Sequence, residues 1–176
     1  AMGLCVYFDD FHIPFGGELF FESLEGVFDV IYREGPIDAG ENNVHGRWVS
    51  GDIPGSVVKI IYRQPATSIG HARLGIMGVG FFVGNSERGS DDCQIDVMCP
   101  EGDSWQSERD AVVRLRITQN GAIYYCSGVM VNNTNLDCRQ LLLGAFHCAD
   151  AVEEDEWAYF KVKYNYEYLE CGGTTS

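Results

Sequence analysis

The stretch "LLLGAFHCAD" (residues 141–150) ends an apolar run on a histidine followed at once by a cysteine. An imidazole can take a proton from a nucleophile, but only if it is held within hydrogen-bond reach of it. Upstream, "CSGVMVNNT" (126–134) places Cys126 on what reads as a strand, followed by a small-residue turn. A disulfide between Cys126 and Cys148 would join two neighbouring strands and fix the backbone of His147. The plainer alternative is a half-buried histidine that sits idle beside a disulfide. The other histidines, His12, His45 and His71, are scattered, and none has a second histidine at ligand spacing. There is no GxxxxGK[ST] phosphate loop, no HExxH zincin motif and no GxSxG nucleophile elbow in the 176 residues.

Other polar groups carry weaker signals. Asp9 and Asp10, with Glu22 and Asp29, offer oxygens of the kind Ca²⁺ takes, although solvated acidic loops explain them as well. The run Glu153–Glu156 reads as a solvated turn. Asn132-Asn133-Thr134 is a glycosylation sequon, which a turn explains equally. In "WAYFKVKYNYEY" the aromatics alternate, with Trp157, Tyr159 and Lys161 against Ala158, Phe160 and Val162, which is the pattern of a strand with one face in a core. No cofactor is expected.

The elements that must position these residues are strands. "LCVYFDDFHI", "GELFFES", "FDVIYRE", "GRWVSGDI", "SVVKIIYRQ" and "ARLGIMGVGFFVG" are rich in Val, Ile, Tyr and Phe and are punctuated by Gly, Pro, Asn and Asp. No long segment holds a 3.6-residue period. Six short strands predict a β-sandwich over residues 3–85. The polar "GNSERGSDD" (84–92) marks a boundary, with "SERGS" (86–90) as an exposed linker. Beyond it, "DAVVRLRI", "AIYYCSGVMV", "RQLLLGAF" and "EWAYFKVKYNYEYL" read as a second set of strands over residues 90–176. Residues 149–156 are expected to form an acidic turn or one short helix.

Composition narrows the classes. Hydrophobic residues make up 45% of the chain, enough for a packed core. With 12 basic and 26 acidic residues the net charge is −14, so a phosphate backbone would be repelled and a nucleic-acid partner is not expected. No segment approaches the ~20 apolar residues of a membrane span. Seven cysteines without a paired CxxC pattern point to disulfides in an exported, extracellular protein, with at least one cysteine left over.

Four blocks in fixed order, "CQIDVMCPEGDSW" (93–105), "CSGVMVNNT" (126–134), "GAFHC" (144–148) and "VKYNYEYLEC" (162–171), resemble the N-terminal half of the peptidase domain of lysyl-endopeptidase-type enzymes, bacterial members of the trypsin-like family. The region before residue 85 resembles, more weakly, the β-rich stretch that precedes the peptidase in such precursors. The resemblance implies that residues 90–176 form part of a trypsin-like β-barrel and that His147 corresponds to the general base. It also implies that Cys126 pairs with Cys148 and Cys99 with Cys171. Cys93 matches a cysteine whose family partner lies further along the chain, and Cys5 and Cys138 have no counterpart, so the pairing of these three is open. In the peptidase reading, processing near Gly89 would release a new N-terminus.

The departures matter as much. Gly144 stands where the family has Thr in its histidine motif, and Ser127 where it has Thr after the strand cysteine. The family's orienting Asp and nucleophilic Ser lie in later turns, and neither turn occurs in these residues. One triad member of three cannot perform serine-peptidase chemistry. Two readings follow. The chain is a fragment or degenerate member of an exported serine peptidase, inactive alone and completed by a missing C-terminal half. Alternatively, it is a non-enzymatic, disulfide-stabilised binding or structural module with a protein or peptide partner. The resemblance licenses no substrate preference.

Overall fold

The computed structural model describes residues 3–25, 29–82, 95–135 and 137–172. The fold is all-β, with several antiparallel sheets and a single short α-helix among the described residues. Two compact units form: unit 1 comprises Ala1–Glu87 with Asp155–Tyr159, and unit 2 comprises Arg88–Glu154 with Phe160–Ser176.

In unit 1, β1 (Gly3–His12) is the centre of one sheet. It pairs with β7 (Arg73–Phe82) on one edge and with the short strands β4 (Trp48–Val49) and β5 (Ile53–Pro54) on the other. The expected strand "GRWVSGDI" is thus two short pieces. Ser50 lies just past β4 and extends the pairing with β1: it donates its backbone N–H to the Val6 carbonyl at 3.0 Å, and its hydroxyl accepts from Val6 N at 2.9 Å. The second sheet runs β3 (Asp29–Ile37), β2 (Glu18–Glu25), β6 (Val58–Arg63).

Alternation puts Leu4, Val6 and Phe8 of β1 on the inner face, where they share one core with Leu19 and Phe21 of β2 and with Trp48 and Ile53. The sheets are therefore packed face to face, as in a sandwich. Trp48 stacks on Phe11 at 5.0 Å and on Phe21 at 5.7 Å between ring centroids, and Phe8 meets Phe21 edge-on at 6.1 Å. Such ring pairs add about 0.5–1.5 kcal/mol each beyond their area burial. The indole N–H, which would otherwise be buried without an acceptor, donates to Glu41 at 3.0 Å.

Unit 2 is a meander. β8 (Val112–Gln119) pairs with β9 (Ala122–Val131) through a turn at Asn120-Gly121, both at positive φ (53° and 73°), the conformation a tight hairpin demands. β10 (Leu141–Gly144) adds to the far side of β9, and β11 (Lys161–Tyr164) to the far side of β8. The sheet is open, with no closed barrel among the described residues. Its core is small: Val113, Leu115 and Ile117 are buried, with Cys126, Met130, Cys148, Val152 and Phe160 packed on them. α1 (Gln106–Ala111) leads directly into β8.

Two sequence expectations change. The strand through "RQLLLGAF" stops at Gly144, and Phe146–Cys148 is a 3₁₀ turn. The long strand expected at 156–169 is strand only over Lys161–Tyr164, preceded by a 3₁₀ turn at Glu156–Tyr159. The expected linker at 84–92 and Cys93 lie outside the described residues.

Candidate functional site around His147

β9 and β10 are neighbours with Gly128 opposite Gly144. The chain leaves β10 at Gly144 and turns: Cys148 N donates to Ala145 O at 3.0 Å and Ala149 N to Phe146 O at 3.1 Å. This turn carries His147, whose side chain is exposed. Cys148 is bonded to Cys126 on β9, 22 residues earlier and 6.3 Å away between Cα atoms. One ring nitrogen of His147 lies within 4.8 Å of both sulfurs. The histidine is thus anchored from its C-terminal side by a covalent bridge to a central strand.

These three residues could suggest a metal site. Thiolates bind metals, however, and here the two sulfurs are bonded to each other, so the ligand set is not available. The second bridge, Cys99–Cys171, spans 72 residues with Cα atoms 4.5 Å apart. It ties the segment before α1 to the one after β11. Cys138 is exposed and Cys5 is buried.

Ser127 follows Cys126 directly, so alternation along β9 sends it to the opposite face of the sheet. There it lines a cleft of about 240 Å³ with Val112, Arg114, Tyr125 and Tyr166. Arg114 is the main feature of that face, with its guanidinium 3.8 Å from the Tyr125 ring centroid and 4.1 Å from that of Tyr166. This sandwich was not read from the sequence. It depends on the strand register, which sets Arg114 opposite Ser127 and diagonal to Tyr125, and sequence alone does not fix that register.

Among the described residues no cluster of carboxylates is gathered that could hold a metal ion. Asp10 pairs with Arg73 at 2.8 Å, and Glu22 meets Lys59 at 3.5 Å and Arg33 at 3.8 Å. The sequon region is a hydrogen-bonded turn: the Asn133 amide donates to Asp137 at 2.8 Å, and Asn135 N donates to the Asn133 side-chain oxygen at 2.9 Å. That amide, followed by the Arg139 N–H, holds the Asp137 carboxyl below its usual range.

A histidine on a turn after a strand, bridged by the next cysteine to the adjacent antiparallel strand, belongs to a disulfide-braced, all-β class of domain. A family model described as "Lysyl endopeptidase, C-terminal domain" matches residues 88–176, and the chain belongs to that family. The match covers the histidine turn, both bridges and the whole of the β8–β11 sheet. No solved structure matches the chain.

Proposed function

We propose that residues 90–176 are the histidine-bearing first half of an exported trypsin-like peptidase domain, with His147 as the general base. The single observation that carries this reading is the anchored turn, an exposed imidazole held next to a disulfide that joins it to a central strand. Membership of the lysyl endopeptidase family supports it. Residues 3–85 are then a β-rich accessory or pro-region-like domain. Two bridges suit an extracellular protein. Among the described residues no helix is long and apolar enough to cross a membrane.

The 176 residues by themselves are catalytically incomplete. A general base needs a nucleophile at its ring, a partner that sets its tautomer, and donors for the oxyanion. Ser127 faces away from Cys126, and among the described residues no hydrogen bond or ion pair reaches the His147 ring. The partner this reading calls for is a segment that carries the Asp and Ser. Loss of oxyanion donors alone costs about 3–4 kcal/mol of transition-state stabilisation.

The expected outcome for the purified chain is no labelling by a fluorophosphonate probe and no hydrolysis of lysine, arginine or aromatic peptide esters. Stoichiometric labelling that disappears in His147→Ala would show that a serine within the chain serves as nucleophile, and would overturn the reading.

A further inference from the structure

Over Leu4–Phe8, β1 is buried on both faces. Leu4, Val6 and Phe8 point into the sandwich, and Cys5 and Tyr7, which point the other way, are buried as well, at 0% and 6% exposure. A sheet with one solvated face would show an exposed position at every second residue. Within unit 1 this outer face is met at Tyr7 by a segment from much later in the chain, Asp155–Tyr159.

The cover is specific. Tyr159 is 2% exposed. Its ring meets Tyr7 edge-on at 5.3 Å, and its hydroxyl donates to the Phe8 carbonyl at 3.2 Å and lies 3.9 Å from the Met77 sulfur. Arg47 binds the segment at two points, with its guanidinium 2.6 Å from the Asp155 carboxylate and 5.7 Å from the Tyr159 ring centroid. The residues on either side, Glu154 and Phe160, belong to unit 2. Asp155–Tyr159 therefore fill a shaped place within unit 1.

We propose that unit 1 carries a binding site for an acidic–aromatic peptide segment, filled in this chain by Asp155–Tyr159, and that this site keeps unit 1 attached when the backbone is cut between residues 83 and 94. The site reads the segment in two ways. A cation, Arg47, takes the carboxylate, and a pocket formed by Tyr7, Met77 and the Phe8 carbonyl takes the phenol four residues later. A cut near Gly89 then yields a two-chain particle and not a freed domain. The inference rests on unit 1 and does not depend on the peptidase reading.

The test inserts a site for a sequence-specific protease between Arg88 and Gly89 of the full chain. Cys5 is the only cysteine before that point, so a Cys5→Ala background removes every disulfide that could span the cut. After cleavage, the protein is expected to elute from a sizing column as one particle of the uncut mass, 19.6 kDa apart from the insert. Tyr159→Ala is expected to weaken the association by roughly 30-fold or more, the effect of truncating a buried aromatic anchor, so that the fragments separate on dilution. A synthetic peptide of residues 153–161 should displace the fragment from cut wild-type chain, while the same peptide with alanine at position 159 should not, a comparison that holds even if the full-length variant misfolds. Separation of the cut wild-type chain, retention by Tyr159→Ala equal to wild type, or failure of a large excess of the peptide to compete at equilibrium would each overturn the proposal.

Discussion

At the scale of single residues, burial and charge compete at Tyr159. Its pKa is raised above the ordinary 10.0, chiefly because burial penalises the phenolate, while the Arg47 cation pulls the other way. The unfolded chain releases that proton near pH 10 and the folded chain only at higher pH. Above pH 10 the unfolded state therefore binds fewer protons, and stability falls as pH rises through the folded value. Below pH 10 the contribution is intact. Denaturation midpoints measured from pH 8.5 to 11 should show a steeper alkaline decline in the wild type than in Tyr159→Phe, which has no proton to lose. Parallel curves would mean that the phenol is not buried as described. His147 stands at the other extreme: it is exposed on its turn.

At the scale of elements, the central strand β9 depends on a residue that has no side chain. A Cβ on Gly128 would lie 2.9 Å from Leu142 Cδ1, 3.2 Å from Leu115 Cδ1 and 3.3 Å from the Leu143 carbonyl oxygen. Leu142 is partly exposed and can swing away, but Leu115 is in the core and cannot. Gly128→Ala should therefore cost about 1–2 kcal/mol, the range for overpacking a filled site, read as a lower midpoint in chemical denaturation at unchanged slope. An unchanged midpoint would mean that β10 does not pack on β9 at this register. Much of this layout was legible in the sequence. "LCVYFDDFHI", "GELFFES" and "ARLGIMGVGFFVG" lie within two residues of β1, β2 and β7 at either end, because apolar β-formers between turn residues leave little other choice. "EWAYFKVKYNYEYL" misled because alternation reports that one face is buried, and not what buries it. Tyr159 does face a core, that of unit 1, and the turn that delivers it there breaks the strand. The Arg47–Asp155 pair was equally invisible, since charges 108 positions apart leave no local signal.

At the scale of the molecule, the two units are stabilised by different means. Unit 1 holds an aromatic-rich core of nine buried residues shared by two sheets. Among the described residues, the core of unit 2 is three buried aliphatic residues of one open sheet, and the unit holds the bridges Cys99–Cys171 and Cys126–Cys148. Small cores need such staples. On the chain-entropy account, loops of 22 and 72 residues contribute roughly 3–5 kcal/mol each, comparable to the whole stability of a small domain. A dithiol reductant should therefore unfold unit 2 selectively. Hydrogen exchange followed by mass spectrometry should show amides of β8 and β9 losing protection on reduction, while those of β1 and β2 keep theirs. The His147 turn should open with unit 2, because its anchor is the 126–148 bridge. Loss of protection in β1 and β2 to the same extent would show that the bridges stabilise both units as one cooperative structure, and retained protection in β8 and β9 would show that the small core holds the sheet without them.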